Sequence, residues 1–241
     1  MVKRENGNEV KSKNTSRLTN VLPYWMVATF IFWALTVWMT FFWVPSDTRQ
    51  GVAQRIFYYH VPTAWVSFLC FTLSFYQSIR YLIQRDLRND SLASAYAIVG
   101  WVFTTGVLIT GPLWAKPIWG GFWNWSDQRL VSFFILWMAY AGYMLLRMGI
   151  ADPQKRARFS AILGIVAFLD VPLVYMAIRI WNPPSHPKAV IGGGAKSGLF
   201  NDKMMITFLV ALVAFQLLAL LISTLYYRFL EQERELLEEK D

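Results

Sequence analysis

Six stretches of the chain are continuously apolar, and short polar or charged connections separate them. They cover approximately residues 22–44, 61–83, 93–113, 130–148, 159–180 and 204–227. Roughly 20 helical residues cross the roughly 30 Å of a bilayer's hydrocarbon core, so each run is long enough, or nearly so, to span it. The apolar positions lack the alternation that strands of a membrane barrel need. The pattern therefore predicts an all-α, polytopic membrane protein with six transmembrane helices. The polar, basic stretch before the first run resembles the start of a signal peptide. Its apolar part is too long for one, and no small-x-small site follows Val44, so an uncleaved first span is expected.

Lys and Arg set the expected orientation. Of 23 in the chain, 15 fall in the N-terminal stretch, segments 80–92 and 147–158, and the C-terminal end. The other 8 fall in 45–60, 114–129 and 179–203. The positive-inside rule then predicts that both termini are cytoplasmic. Three segments follow: a cytoplasmic N-terminal part (1–21), a six-helix transmembrane domain (22–227) and a cytoplasmic C-terminal tail (228–241). Loops 45–60, 114–129 and 181–203 face outward.

Composition agrees with a membrane protein. Of the 241 residues, 56% are apolar and only 16% charged, against about a quarter charged in soluble domains. The net charge of +8 is spread between apolar runs, so it reads as a topology signal and not as a nucleic-acid surface. Cys70 is the only cysteine; it lies in an apolar run and supplies no disulfide, CxxC pair or CxxCH haem-attachment motif. No phosphate-binding loop, nucleophile or acid–base pair is visible.

The candidate chemistry gathers in the outer loops. Trp114, Trp119, Trp123 and Trp125 fall within twelve residues. An aromatic belt at the membrane boundary is the common explanation of such a cluster. At 100° per residue, however, Trp119 and Trp123 share one face while Trp114 and Trp125 share nearly the opposite one. Pro117 and Gly120-Gly121 also argue against one continuous helix. An indole-lined platform for a flat apolar ligand fits at least as well. The chain's two histidines, His60 and His186, are predicted on this same side. A lone interfacial histidine is usually structural, but two neutral imidazoles can occupy both axial positions of one haem iron. Arg55 and Arg129 flank the same surface, either as snorkelling interfacial residues or as partners for carboxylates such as haem propionates. Asp170, inside the fifth run and two residues before Pro172, is either a functional intramembrane acid or a hydrogen-bonded one.

These residues resemble a known family. Pro45–Gly51 (Pro-Ser-Asp-Thr-Arg-Gln-Gly), Arg55–Pro62 (Arg-Ile-Phe-Tyr-Tyr-His-Val-Pro) and Ala64-Trp65 are similar to the first outer loop of the CcmC family. That family comprises the haem-handling membrane proteins of system I cytochrome c maturation. Trp114, Trp119-Gly120, Trp123 and Trp125 with Asp127, Arg129 and Leu130 resemble its tryptophan-rich WWD segment, with Ser126 as a one-residue insertion. Trp181-Asn182, His186-Pro187 and Gly193-Gly194 resemble the loop carrying its second histidine. The resemblance spans about 22–227.

It implies an inner-membrane protein that holds b-type haem non-covalently, in transit, on its periplasmic face. His60 and His186 would be the axial ligands to the haem iron, and the four tryptophans, Asp127, Arg55 and Arg129 would complete the site. It further implies delivery to the haem chaperone CcmE, with the CcmAB transporter, the small protein CcmD and membrane lipid as partners. Such a protein is a haem-delivery component and not an enzyme. The alternatives are a small-solute permease, which would carry polar groups along a midplane path, and a structural membrane subunit of an ABC transporter. The larger system II synthases share the WWD segment but typically have a second histidine pair.

Overall fold

The computed structural model describes residues 21–48, 50–181 and 202–238. They form seven helices: α1 (Val21–Trp43), α2 (Phe57–Gln84), α3 (Leu87–Trp119), α4 (Gln128–Gly149), α5 (Pro153–Phe168), α6 (Asp170–Trp181) and α7 (Asp202–Glu238). Six helical segments are long and apolar enough to cross a membrane, with α5 and α6 together supplying one of them. The six predicted spans are thus present, and no strand occurs among the described residues.

The helices depart from the predicted boundaries at several points. The last turn of α1, Met39–Trp43, is π-helical, and the Val44 amide donates to the Met39 carbonyl at 3.0 Å. A 3-10 turn, Val52–Ile56, leads directly into α2, so helix begins well before residue 61. As expected, no one helix carries all four tryptophans, but the break is not at Pro117: α3 continues through Pro112 and Pro117 as far as Trp119. It stops at Gly120, whose φ of 79° is left-handed, and the Gly120 amide returns to the Lys116 carbonyl. The predicted fifth span is two helices. Pro172 has no N–H to give the Phe168 carbonyl, α5 ends at Phe168, and the Leu169 amide turns back to Val166. Helix α7 runs without interruption through residue 228 to Glu238, so no break in secondary structure marks the start of the 228–241 segment.

The α2–α3 hairpin is the centre of the bundle. Its tight turn uses Arg85 in a left-handed conformation (φ 58°) and Asp86 as the N-cap of α3. Small residues on α3 let the two helices approach closely, as in many membrane helix pairs. A Cβ on Gly100 would lie 2.7 Å from the Phe71 ring, one on Gly106 3.3 Å from Thr63, and one on Gly111 3.3 Å from His60 Cε1. Phe71 in turn stacks on Tyr140 of α4 at 3.8 Å. Helices α5 and α7 pack beside α2, and α4 beside α3 and α6. At one end of the bundle, Arg147 of α4 donates both terminal nitrogens to Asp90 of α3, at 2.6 and 3.0 Å. The opposite end carries the site.

Candidate functional site

Four helix ends meet beside His60, whose own contacts are with α3. Val44, Phe57, Tyr58, Trp114, Met204, Phe208 and Ala211 form one buried cluster joining the ends of α1, α2, α3 and α7. His60 lies in the first turns of α2 and is only 6% exposed. Its Nδ1 is 2.9 Å from Thr110 Oγ1 on α3. The Thr110 hydroxyl proton is already committed to its own helix, to the Gly106 carbonyl at 2.7 Å. Thr110 therefore accepts, His60 Nδ1–H donates, and in the neutral imidazole the lone pair is left on Nε2. Histidines that ligate metals are commonly oriented by such a bond from the other ring nitrogen.

Trp114 closes one side of the ring. It is buried, with its centroid 5.6 Å from that of His60 in an edge-on arrangement. Its Nε1–H donates to Gln50 Oε1 at 3.0 Å. Gln50 is held in turn because its amide donates to Asp47 Oδ1 at 2.7 Å, while Gly51, at a φ of 56°, returns its amide to the Asp47 carbonyl. The loop before α2 is thereby tied to α3 directly beside His60.

The tryptophans divide into two pairs, different from those of a continuous helix. Trp114 and Trp119 lie 6.3 Å apart at the end of α3. Beyond Gly120 the chain leaves the helix, and Trp123 and Trp125 meet edge-on at 5.5 Å. The latter pair sits against Phe134 of α4, which stacks on Trp137, which stacks on Trp101 of α3. Trp125 is 70% exposed, whereas Trp123 and Trp119 are partly covered.

Asp127 is buried and caps α4, its carboxylate accepting from the Arg129 and Leu130 amides. Acidic N-caps satisfy otherwise free amides in this way, so Asp127 fixes where α4 starts and where Arg129 leaves it. The Arg129 guanidinium is within electrostatic reach of the His60 ring. Arg55 lies in the 3-10 turn that precedes α2, its guanidinium over the Phe41 ring of α1 at 5.8 Å. Asp170 opens α6 half-buried, with Oδ2 shielded from solvent and unbonded. His186 lies outside the described residues. Among the described residues no group of three or more His, Cys, Asp or Glu forms a metal cluster.

Thr110, Gln50 and Gly111 were not singled out from sequence. Thr110 is 50 positions from His60 and looks like any hydroxyl in an apolar run. A glycine inside a helical run, Gly111, was the one signal available, since such residues often mark close packing.

The family model described as Heme exporter protein C (CcmC) matches residues 8–240. The chain belongs to the CcmC family. It is 35% identical to Heme exporter protein C of Bradyrhizobium diazoefficiens over 82% of this chain and 74% of that protein. The Paracoccus denitrificans protein of the same name is 35% identical over 77% and 75% of the two chains. The Escherichia coli one is 33% identical over 67% and 65%. CcmC membership agrees with the six spans, and the family is one of haem exporters, not enzymes.

Proposed function

We propose that this CcmC-family chain binds haem at the outer end of its bundle and passes it to the haem chaperone CcmE for c-type cytochrome biogenesis. His60 and His186 are the axial ligands, and Trp114, Trp119, Trp123 and Trp125 offer apolar faces to the porphyrin. Asp127 positions Arg129, which pairs with a propionate. Arg55, turned toward α1, is left out of this pairing. The haem is b-type, held non-covalently as cargo. The chain sits in the inner membrane with residues 1–21 and 228–241 in the cytoplasm, its site periplasmic, and works with CcmAB and CcmD.

The observation that carries the proposal is the His60–Thr110 hydrogen bond. It directs a neutral imidazole's lone pair to Nε2, as an iron ligand requires, at a membrane face rich in indoles. Two imidazoles on one iron give a low-spin spectrum. Purified His60→Ala and His186→Ala proteins should each retain less haem, show an altered Soret band and fail to load the chaperone. Added imidazole should restore part of the retention. Wild-type haem content and spectrum in both variants would refute the assignment.

A further inference from the structure

Trp114 forms a wall beside His60, yet its own helix holds that turn weakly. Pro112 and Pro117 stand on either side of it within α3. Neither has an N–H to give the carbonyl four residues back, so the Leu108 and Leu113 carbonyls lose those partners. The indole is buried, and a buried indole N–H needs an acceptor. Gln50 Oε1 supplies it at 3.0 Å, from 64 positions away. An indole nitrogen only donates, so the side-chain oxygen of Gln50 is the atom that faces it. Gln50 is fixed from behind: its amide donates to Asp47 Oδ1 at 2.7 Å, and its carbonyl accepts from the Ala53 amide at 3.2 Å. The Phe57, His60 and Trp119 rings also meet the indole. Ring contacts tolerate more than one orientation, whereas the Gln50 bond has a direction and sets which way the indole faces.

We infer that Gln50 is a positioning residue for haem retention: by fixing the Trp114 indole beside His60, it gives the segment before α2 control over how fast haem leaves. The inference rests on haem ligation by His60 as proposed above. Two bonds from different elements then govern two different quantities. The bond to Thr110 on α3 orients the imidazole and so sets the ligands of the iron. The bond from Trp114 to Gln50 sets the apolar wall that the porphyrin must pass when it dissociates. With Gln50 disconnected, both histidines still reach the iron, but the indole turns and the wall opens. Release accelerates while ligation stays the same.

The test uses the full-length protein in detergent and the shape-conserving Gln50→Met, which lacks the oxygen acceptor. Haem-loaded protein is mixed with excess apomyoglobin as a haem sink, and the Soret band follows transfer. Gln50→Met should release haem about three- to tenfold faster, the scale of one neutral hydrogen bond, from an unchanged low-spin starting spectrum. Trp114→Phe has no N–H to donate, so adding Gln50→Met to it should accelerate release no further. A haem-free readout runs beside this. In protein labelled with 15N-tryptophan, the indole N–H resonance that vanishes in Trp114→Phe should move upfield in Gln50→Met. Wild-type release and an unmoved indole resonance in Gln50→Met would overturn the inference, as would an undiminished effect of Gln50→Met in the Trp114→Phe background. A wild-type protein without low-spin haem would defeat the His60 assignment and this role with it, whereas normal ligation with unaltered release defeats this role alone.

Discussion

The His60 ring lies directly over Gly111, so close that a methyl group on that glycine would come within 3.3 Å of Cε1. A contact that tight obliges the ring to shift by a few tenths of an ångström. Gly111→Ala should therefore weaken haem retention without unfolding the bundle, and Gly111→Val should abolish it. Haem content per protein and the Soret position measure both. Wild-type haem content in Gly111→Val would mean that the ring's place against α3 is irrelevant to binding.

Thr110→Val removes the acceptor for His60 Nδ1–H while nearly conserving shape. Removing such a partner commonly costs about 10–100-fold in metal affinity, and a loss of that size is expected here in haem titrations. Thr110→Ser, which keeps the hydroxyl, should stay near wild type. Equal behaviour of the two variants would assign the bond a purely packing role.

The Arg147–Asp90 pair is a separate matter of stability. The side chains are only 13% and 7% exposed, and removing one partner of a buried pair typically costs about 3–5 kcal/mol. Arg147→Leu or Asp90→Leu should sharply lower the melting temperature in detergent, and the double variant should recover much of it. Single variants as stable as wild type would show that the pair is already solvated.

Orientation can be read with fused reporters. Fusions after Leu87 or Gln154 should report as cytoplasmic, and fusions after Gln50 or Gly194 as exported. An exported signal at Leu87 would reverse the bundle and move the His60 end to the other side of the membrane.

Six spans were legible because length and continuous apolarity are enough to mark a membrane helix. Their ends were less so. Proline alone does not tell whether a helix stops: Pro172 coincides with a break, yet Pro112 and Pro117 lie within α3. The final turns of α3 are held by contacts from elsewhere, including Trp114 against Phe57, His60 and Gln50. The break between Trp119 and Trp123 was legible in Gly120-Gly121, but which indoles meet was not, since counting angles holds only within one helix. His60 was legible as a rare residue at a span end. What orients it comes from α3, 50 positions away, and no local pattern announces that.

Helix α7 contains 37 residues, or about 55 Å at 1.5 Å per residue, against a hydrocarbon core of about 30 Å. Its first turns, at Met204 and Phe208, are fixed in the cluster beside Trp114. The surplus length is thus displaced to the far end, where Arg234 pairs with Glu231 one turn away at 2.7 Å. Among the described residues the helical extension thus lies at the end away from the proposed haem site, and its Arg234 and Glu231 side chains are still largely covered, 21% and 16% exposed. A partner that takes hold of the last turns would therefore pull on a rigid helix continuous with the cluster beside Trp114, with no loop between Asp202 and Glu238 to absorb the displacement.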